Sequence, residues 1–325
     1  MISPDTGLPG HGRVSKRKPR KPPTTTVTYH GDPNVASGDP VPDGDRGQLQ
    51  PIAARVLMKI LYGARMARID LLRAVNNLAR YITKWDATCD RRLHRLVSYI
   101  HMTYDRKLVG WVGDDTSSLR AHLFADADFA GCTETQRSTS GAILCVRGEH
   151  TSFPIAALSK RQGCVSKSTP EAEIVAMDCA IRSLGAPSIS LWNRLGFKRD
   201  ALLAHEDNQA MIRVCESGKN PTMRYLHRTH GVSIAWLHEQ FARGTYSLRY
   251  EQTALMAADI FTKAFTDATS WESACWLIHV HRESDVQLAI DHGDQPPPMA
   301  PAKVMKGEWH PNEDGSGYWS RVDKG

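Results

Sequence analysis

The order of strand and helix patterns between residues 118 and 266 constrains the fold more than any other feature. Five runs with the alternation or the β-rich composition of strands lie at residues 119–126, 141–146, 151–158, 201–206 and 246–250. A helix follows the third strand, with Ser168 or Thr169 as its N-cap and Pro170 in its first turn. Further helices are expected at 209–216, at 223–242 and after the fifth strand. This order predicts an α/β fold, a mixed five-stranded sheet flanked by helices.

Changes in composition divide the chain into four parts. Residues 1–50 are rich in Pro, Gly, Asp and Thr without a period, which predicts a disordered, basic tail. Residues 51–112 carry apolar positions at helical spacing and are expected to form a small helical segment. The α/β domain is expected at 113–270. Residues 271–325 return to Pro, Gly and charge, which predicts a C-terminal extension that is mostly poorly ordered.

Composition limits the class of protein. The 325 residues carry a formal net charge of +6 and a pI of about 8.9, a mild basic bias that permits a polyanionic partner. The basic run at residues 16–21 suits a nuclear address or a nucleic-acid contact, but such runs are common, and a solvated tail is the favoured interpretation. The seven cysteines occur singly, without a Cys-x-x-Cys pair, so we expect reduced thiols and no zinc site.

The sequence also predicts a compartment. The first residues lack the apolar core of a signal peptide, and no apolar stretch approaches the about 18 residues of a membrane span. We therefore expect an intracellular protein, cytoplasmic or nuclear and not secreted, with no membrane partner.

Four acidic residues stand in four different settings within the α/β domain. Asp126 ends the first strand pattern, Glu173 lies early in a helix, and Asp207 ends the fourth strand. Asp259 lies in an apolar helix pattern, where a carboxylate is costly unless it is paired or bound to metal. Carboxylates are the hard oxygen ligands that Mg²⁺ prefers. The order and the settings predict a cluster that holds two divalent ions for phosphodiester chemistry.

Each of these acids has an acidic neighbour, so the choice depends on geometry. Asp126 and Asp128 face the same side of a strand, and Asp126 is preferred because it lies within the alternating run. Glu171 and Glu173 lie about 200° apart around a helix of about 3.6 residues per turn. Glu171 stands three residues after Ser168, where a capping box places its Glu, which leaves Glu173 for the cluster.

At the fourth strand the choice lies between two adjacent acids. Glu206 and Asp207 are expected to face opposite ways. Asp207 is preferred because Asn208 and Gln209 open the next helix directly behind it. Glu206 is therefore left out of the expected cluster.

Five segments of the sequence resemble a known family. The segments FADADFAGCTETQRSTSGAI, LSKRQ, STPEAEIVAM, EDNQAMI and LHEQFARGTYSLRYEQTALMAADIFTKAF are similar, in order and spacing, to the ribonuclease H domain of copia-type LTR retrotransposon Pol polyproteins. The resemblance covers roughly residues 118–266. Residues 57–112 resemble, more loosely, the last part of the same family's reverse transcriptase, whose Tyr-x-Asp-Asp hairpin is absent here. The resemblance implies a ribonuclease H-like fold in a polyprotein fragment.

The resemblance also implies an activity and a site. The activity is cleavage of the RNA strand of an RNA–DNA hybrid with two Mg²⁺ ions, or with Mn²⁺ in their place. The implied metal-binding and catalytic residues are Asp126, Glu173, Asp207 and Asp259. His230 is a candidate proton shuttle. The residues implied to contact nucleic acid are Arg137, Ser138, Lys160, Arg161 and Asn208. The expected partners are the hybrid and the missing polymerase part of the polyprotein.

Two other interpretations stay open. One is a catalytically inactive retrotransposon relic that acts at most as a nucleic-acid-binding module. The other is an integrase or transposase of the same fold class, which needs acids in the order Asp, Asp, Glu. Asp207 and Glu239, 32 positions apart, mimic that spacing. The position of Glu173 before Asp207 favours ribonuclease H, because the order of the carboxylates separates the two classes and the fold does not.

Overall fold

The computed structural model describes residues 47–194, 201–291, 307–311 and 317–321. The tail predicted for residues 1–50 lies outside these ranges except for its last four residues, and so does most of the Pro-rich stretch after residue 291.

A mixed five-stranded sheet forms the centre of the fold. The strands of the described ranges are β1 (Lys107–Leu108), β2 (Arg120–Asp128), β3 (Thr139–Arg147), β4 (Ser152–Arg161), β5 (Leu202–Glu206), β6 (Tyr246–Tyr250), β7 (Val280–His281), β8 (Gly307–Pro311) and β9 (Gly317–Arg321). The central sheet has the order β4-β3-β2-β5-β6. Its first three strands in the chain pair antiparallel, and β5 and β6 run parallel to β2. The predicted mixed five-stranded sheet is confirmed, and each predicted strand is present within a few residues of its expected ends.

Helices precede the sheet and cover both of its faces. The helices of the described ranges are α1 (Gln50–Met66), α2 (Leu72–Ala79), α3 (Ala87–Met102), α4 (Thr169–Ala180), α5 (Ala186–Arg194), α6 (Gln209–Ser217), α7 (Leu226–His230), α8 (Ile234–Ala242), α9 (Ala268–Leu277) and α10 (Glu283–Asp291). Ser168 caps α4, as the sequence predicts, because its hydroxyl accepts the amide of Glu171 at 3.4 Å.

Apolar side chains alternate between the two faces of the sheet and build a core on each. On one face Leu123 and Ala125 of β2 pack with Ile174 and Met177 of α4. On the other face Phe124 joins the buried residues of α1, α2, α3 and α9. The helical segment and the sheet therefore share a core, which fixes the segment beside the carboxyl end of β2.

The helical stretch Thr169–Arg194 is long and apolar enough, by length and composition, to cross a membrane. This differs from the expectation that no apolar stretch reaches such a length. Half of its apolar window, 50%, is buried inside the fold, and α4 packs on β2 and β3. A core helix passes the same test, so this stretch is weak support for a membrane span.

The chain beyond the sheet returns to the helical face. Trp271 of α9 is buried, and its ring meets Tyr99 of α3 edge-on, with 5.8 Å between centroids. Strand β7 pairs antiparallel with β1, and β8 pairs antiparallel with β9. The domain boundary expected at residue 270 therefore falls inside α9.

Two predicted helices are replaced by other structure. The helix expected at 223–242 is divided into α7 and α8, because Gly231 adopts φ +68° and ends α7 in a left-handed conformation. The helix expected after β6 is absent. Two short 3₁₀ turns, Thr253–Leu255 and Asp259–Phe261, take its place. Asp259 therefore stands at the start of a tight turn.

Candidate metal centre and nucleic-acid interface

The four predicted metal ligands come from separate elements that meet at one end of the sheet. Asp126 lies near the end of β2, and Asp207 follows the last residue of β5. These strands are parallel neighbours, so their carboxyl ends lie at the same edge. Glu173 lies in the second turn of α4, and Asp259 begins its 3₁₀ turn.

The carboxylate oxygens of this edge lie close enough to hold cations. One oxygen each from Asp126, Asp207 and Asp259 lies within 4.8 Å of the other two. One oxygen each from Glu173, Glu206 and Asp207 satisfies the same distance. Asp207 belongs to both groups. Two three-carboxylate groups that share one residue are an arrangement that suits two neighbouring divalent ions.

Lys263 and Thr262 connect the parts of the first group. Lys263 Nζ lies 2.7 Å from Asp259 Oδ1 and 3.4 Å from Asp126 Oδ1. The hydroxyl of Thr262 donates to Asp126 Oδ2. The ammonium group therefore balances part of the charge of two carboxylates. Sequence reasoning missed both residues, although the i, i+4 spacing of Lys263 from Asp259 is a signal for an ion pair on a helical turn.

Gly141 makes room for the turn that carries Asp259. It lies opposite Asp126 in the β2–β3 ladder. A Cβ at this position would lie 2.6 Å from Thr262 Cγ2 and 2.8 Å from Phe261 Cβ. Both distances are far shorter than a van der Waals contact. The turn therefore approaches Asp126 because residue 141 has no side chain.

The helical segment anchors the same turn. Arg73 of α2 donates from Nε to the carbonyl of Thr262 at 2.8 Å. Asn76 donates to the carbonyl of Ser159 at 2.8 Å, and the Ser159 hydroxyl donates to the carbonyl of Phe261 at 2.7 Å. The geometry of the metal-site turn therefore depends on residues outside the α/β domain.

Glu206 belongs to the cluster, although sequence reasoning left it out. It is the last residue of β5, it is fully buried, and its Oε1 accepts the amide of Asn208 at 3.1 Å. The strand ends at Glu206, so the alternation that would turn Asp207 to the opposite side does not continue past it. Oε2 of Glu206 and Oε2 of Glu173 are both buried without a hydrogen-bond partner.

Burial and mutual repulsion raise the pKa of four of these acids. Burial, followed by the charges of Glu206 and Asp126, raises the pKa of Glu173 to about 11. Burial raises the pKa of Glu206 well above its usual value. Burial and the charge of Asp126 raise the pKa of Asp259 to about 7. Burial also raises the pKa of Asp126, against the opposing effect of Lys263. A cation bound among these acids would favour their ionised forms.

These residues fit a hard divalent cation. The donor set consists of carboxylate oxygens alone, two of them buried and unpartnered. Carboxylates suit Mg²⁺ and Mn²⁺ better than the softer metals that prefer thiolate or imidazole.

His230 lies on α7 and outside both carboxylate groups. Its Nε2 lies 3.1 Å from Oε1 of Glu171, and its side chain is 1% exposed. Glu171 also accepts the hydroxyl of Tyr225 at 2.6 Å and the amide of Lys167 at 3.0 Å. Glu171 thus accepts hydrogen bonds near the start of α4, and its contact with His230 connects α7 to α4. The catalytic role of His230 stays a prediction.

The residues expected to contact nucleic acid differ in their surroundings. Lys160 and Arg161, at the end of β4, line an open groove. The buried hydroxyl of Ser138 accepts a backbone amide of the β2–β3 turn at 3.1 Å, and Arg137 lies half-buried in that turn. Asn208 caps α6 by accepting an amide at 3.0 Å. Ser138 and Asn208 therefore support local structure, and their contacts with nucleic acid stay predictions.

Glu239, the third acid of the integrase alternative, lies apart from both carboxylate groups. It is on α8, its side chain is 55% exposed, and it pairs with Arg243 at 3.2 Å. The groups found among the described residues do not include it. The geometry therefore favours the carboxylate order of ribonuclease H.

A stretch of 158 residues is 32% identical to the Retrovirus-related Pol polyprotein from transposon RE2 of Arabidopsis thaliana. The chain is similar to a retrotransposon Pol polyprotein. The similarity covers 47% of this chain and 10% of the polyprotein, so the chain corresponds to a small part of that protein. No family model matches the sequence.

Two solved structures align with the chain at low identity. The N-terminal RNase H domain of rv2228c from Mycobacterium tuberculosis, fused to maltose-binding protein, is 14% identical with a TM-score of 0.29, over 45% of this chain and 91% of that one. The foamy viral protease–reverse transcriptase in complex with an RNA/DNA hybrid is 14% identical with a TM-score of 0.39, over 63% of this chain and 25% of that one.

Proposed function

We propose that this chain is a metal-dependent endoribonuclease that cleaves the RNA strand of RNA–DNA hybrids and forms part of a copia-type retrotransposon polyprotein. The observation that carries the proposal is the pair of carboxylate groups joined through Asp207, with two buried oxygens that lack partners. The similarity to a Pol polyprotein supports the retrotransposon context. The proposed cofactor is Mg²⁺, with two ions per site, and Mn²⁺ is expected to replace it.

Each of the two carboxylate groups would bind one ion. Asp126, Asp207 and Asp259 would hold one ion. Glu173, Glu206 and Asp207 would hold the other. When bound, the ions supply the Lewis acidity that in-line hydrolysis of a phosphodiester requires.

Neighbouring side chains fix these carboxylates and keep a positive charge beside them. The hydroxyl of Thr253 donates to Asp207 Oδ2 at 2.9 Å, which orients the residue common to both groups. Burial lowers the pKa of Lys263, but Asp126 and Asp259 outweigh it and raise that pKa above its usual value, so the ammonium stays charged. The Lys263 side chain is 38% exposed and can therefore attract a phosphodiester at the edge of the site.

Cleavage of an end-labelled RNA–DNA hybrid tests the proposal. The full chain is expected to cut the RNA strand and spare the DNA strand with Mg²⁺ or Mn²⁺, and to cut neither in EDTA. Asp207→Asn is expected to abolish cleavage, because Asp207 serves both groups. Asp115→Asn, an exposed acid before β2, is the matched control and should cut like the parent. A parent chain that binds the hybrid without cutting it would support the inactive nucleic-acid-binding module instead.

A further inference from the structure

A groove with an excess of positive charge separates the helical segment from the end of β4. Its cationic lining residues come from both sides and are Arg73, Arg80, Arg92, Lys160 and Arg161. Among the described lining residues Asp128 is the single acid. A groove of this charge is suited to a polyanion.

The arginines of the helical segment are held close together. Arg80 and Arg92 lie over the ring of Tyr81, at 5.6 and 5.9 Å from its centroid, and Lys84 lies 5.1 Å from the same centroid. Nε of Arg80 and Nε of Arg92 are buried without a hydrogen-bond partner. Lys84 is paired with Glu134, but Arg80 and Arg92 repel each other, so an anion in the groove would lower the electrostatic cost of holding these two guanidinium groups together.

The groove begins beside the metal centre. Asp126 and Asp128 face the same side of β2 and lie about 7 Å apart along the strand. Asp126 belongs to a carboxylate group, and Asp128 lines the groove. Arg73 also lines the groove, while its Nε holds the carbonyl of Thr262 beside the metal centre. A nucleic-acid strand with one phosphate at the metal centre would therefore have neighbouring phosphates beside these cations.

We propose that the helical segment forms a phosphate-binding wall, in which Arg80 and Arg92 hold the backbone of the duplex whose scissile bond lies at the metal centre. Lys160 and Arg161 form the opposite wall, on β4. The identity of the duplex as an RNA–DNA hybrid rests on the proposed function. The inference adds that residues outside the α/β domain bind it. Guanidinium and ammonium groups recognise phosphate, so binding is expected to depend on salt and not on base sequence.

Salt-dependent binding of a fluorescent RNA–DNA hybrid tests this wall. Binding is measured with the full chain in EDTA, so that cleavage does not interfere. The double variant Arg80→Gln/Arg92→Gln is compared with Arg55→Gln/Arg91→Gln, which removes the same charge from exposed positions of α1 and α3. The groove variant is expected to reduce the slope of log K against log salt by about 1.8, or about 0.9 for each lost contact. Its affinity at 0.1 M salt should fall roughly 50-fold. The control should keep the parent's slope.

A second variant tests the groove without changing the helical segment, which the first variant could unfold. Lys160→Gln/Arg161→Gln changes the β4 wall, where both side chains are at least partly exposed, and should reduce the slope by a similar amount. If both groove variants keep the parent's affinity and slope, the wall is refuted even when the parent cuts hybrids. If the parent binds through the groove but does not cut with Mg²⁺, the proposed function fails and the wall stands. A parent chain that does not bind the hybrid overturns the wall.

Discussion

Replacing Asp259 with Asn is expected to remove part of the pH dependence of stability in the metal-free protein. The pKa of Asp259 rises from 3.8 to about 7, first because the side chain is buried and then because Asp126 is near. Between these two pH values the folded protein keeps a proton that the unfolded chain has lost. The free energy of unfolding therefore falls as the pH rises through this window, and the loss levels off above about pH 7.

The size of the effect follows from the width of the window. One proton held by the folded state alone changes the free energy of unfolding by about 1.4 kcal/mol for each pH unit. Between pH 5.5 and pH 8 the contribution of Asp259 therefore falls by about 2 kcal/mol. The Asp259 side chain is 16% exposed, so solvent screening reduces this free-energy difference only slightly. Burial also raises the pKa of Asp126 and of Glu206, so some pH dependence should remain in the variant.

Urea unfolding in EDTA at pH 5.5 and pH 8 measures the effect. On going from the lower to the higher pH, Asp259→Asn should lose about 2 kcal/mol less than the parent. Asp115→Asn, whose side chain is exposed, should behave like the parent. Mg²⁺ at pH 8 should stabilise the parent more than Asp259→Asn, because the ion binds the folded state of an intact site. An equal pH dependence in the parent and in Asp259→Asn would refute the place of Asp259 in the cluster.

Three further changes test the surroundings of the site. Gly141→Ala should displace the metal-site turn, cost about 1–3 kcal/mol of stability and abolish hybrid cleavage. Gly163→Ala, where a Cβ meets nothing within 4 Å, is its matched control, and equal cleavage by the two variants would contradict the close approach. Lys263→Gln should lower the melting temperature in EDTA at pH 8 and enlarge the rise that Mg²⁺ causes, because the cluster loses its internal cation; an unchanged Mg²⁺ effect would argue against this pairing. Burial raises the pKa of Cys132, but hydrogen bonds within its turn and the Arg80 guanidinium lower it to about 7. Arg80→Gln should therefore slow alkylation of Cys132 by iodoacetamide at pH 7, measured by mass spectrometry, and an unchanged rate would count against the Arg80 contact.

The sheet was predictable because its signals are local. Alternation and turn residues mark each strand, and Ser168 with Pro170 marks the start of α4. The convergence of Asp126, Glu173 and Asp207 was predictable in outline, because each lies on an element whose place in the sheet follows from the order of elements.

The details of the metal-site turn were not predictable in this way. The stretch around Asp259 reads as an apolar helix, yet it folds into 3₁₀ turns. Its position depends on the missing side chain of Gly141 and on Arg73, which donates to the carbonyl of Thr262 across 189 positions of sequence. Glu206 was misjudged because the alternation of the strand was extended to Asp207, one residue past the end of β5.

The groove was visible only in part. Lys160 and Arg161 stand together in the sequence, so a basic pair was apparent there. Arg80 and Arg92 belong to a different segment, and no local pattern shows that α2 packs beside β4 or that Arg92 of α3 lines the same groove. Such long-range packing depends on the shared core. The periodicity of the sequence shows that a helix has an apolar face, but it does not show which element that face packs against.

Titration of Mn²⁺ into the metal-free full chain, followed by electron paramagnetic resonance of the free ion, tests the carboxylate centre most directly. Asp207 belongs to both carboxylate groups, so Asp207→Asn is expected to weaken every ion bound at the centre by at least about tenfold. Asp115→Asn should bind Mn²⁺ as the parent does. If Asp207→Asn and the parent bind Mn²⁺ equally well, the shared metal centre does not exist as described.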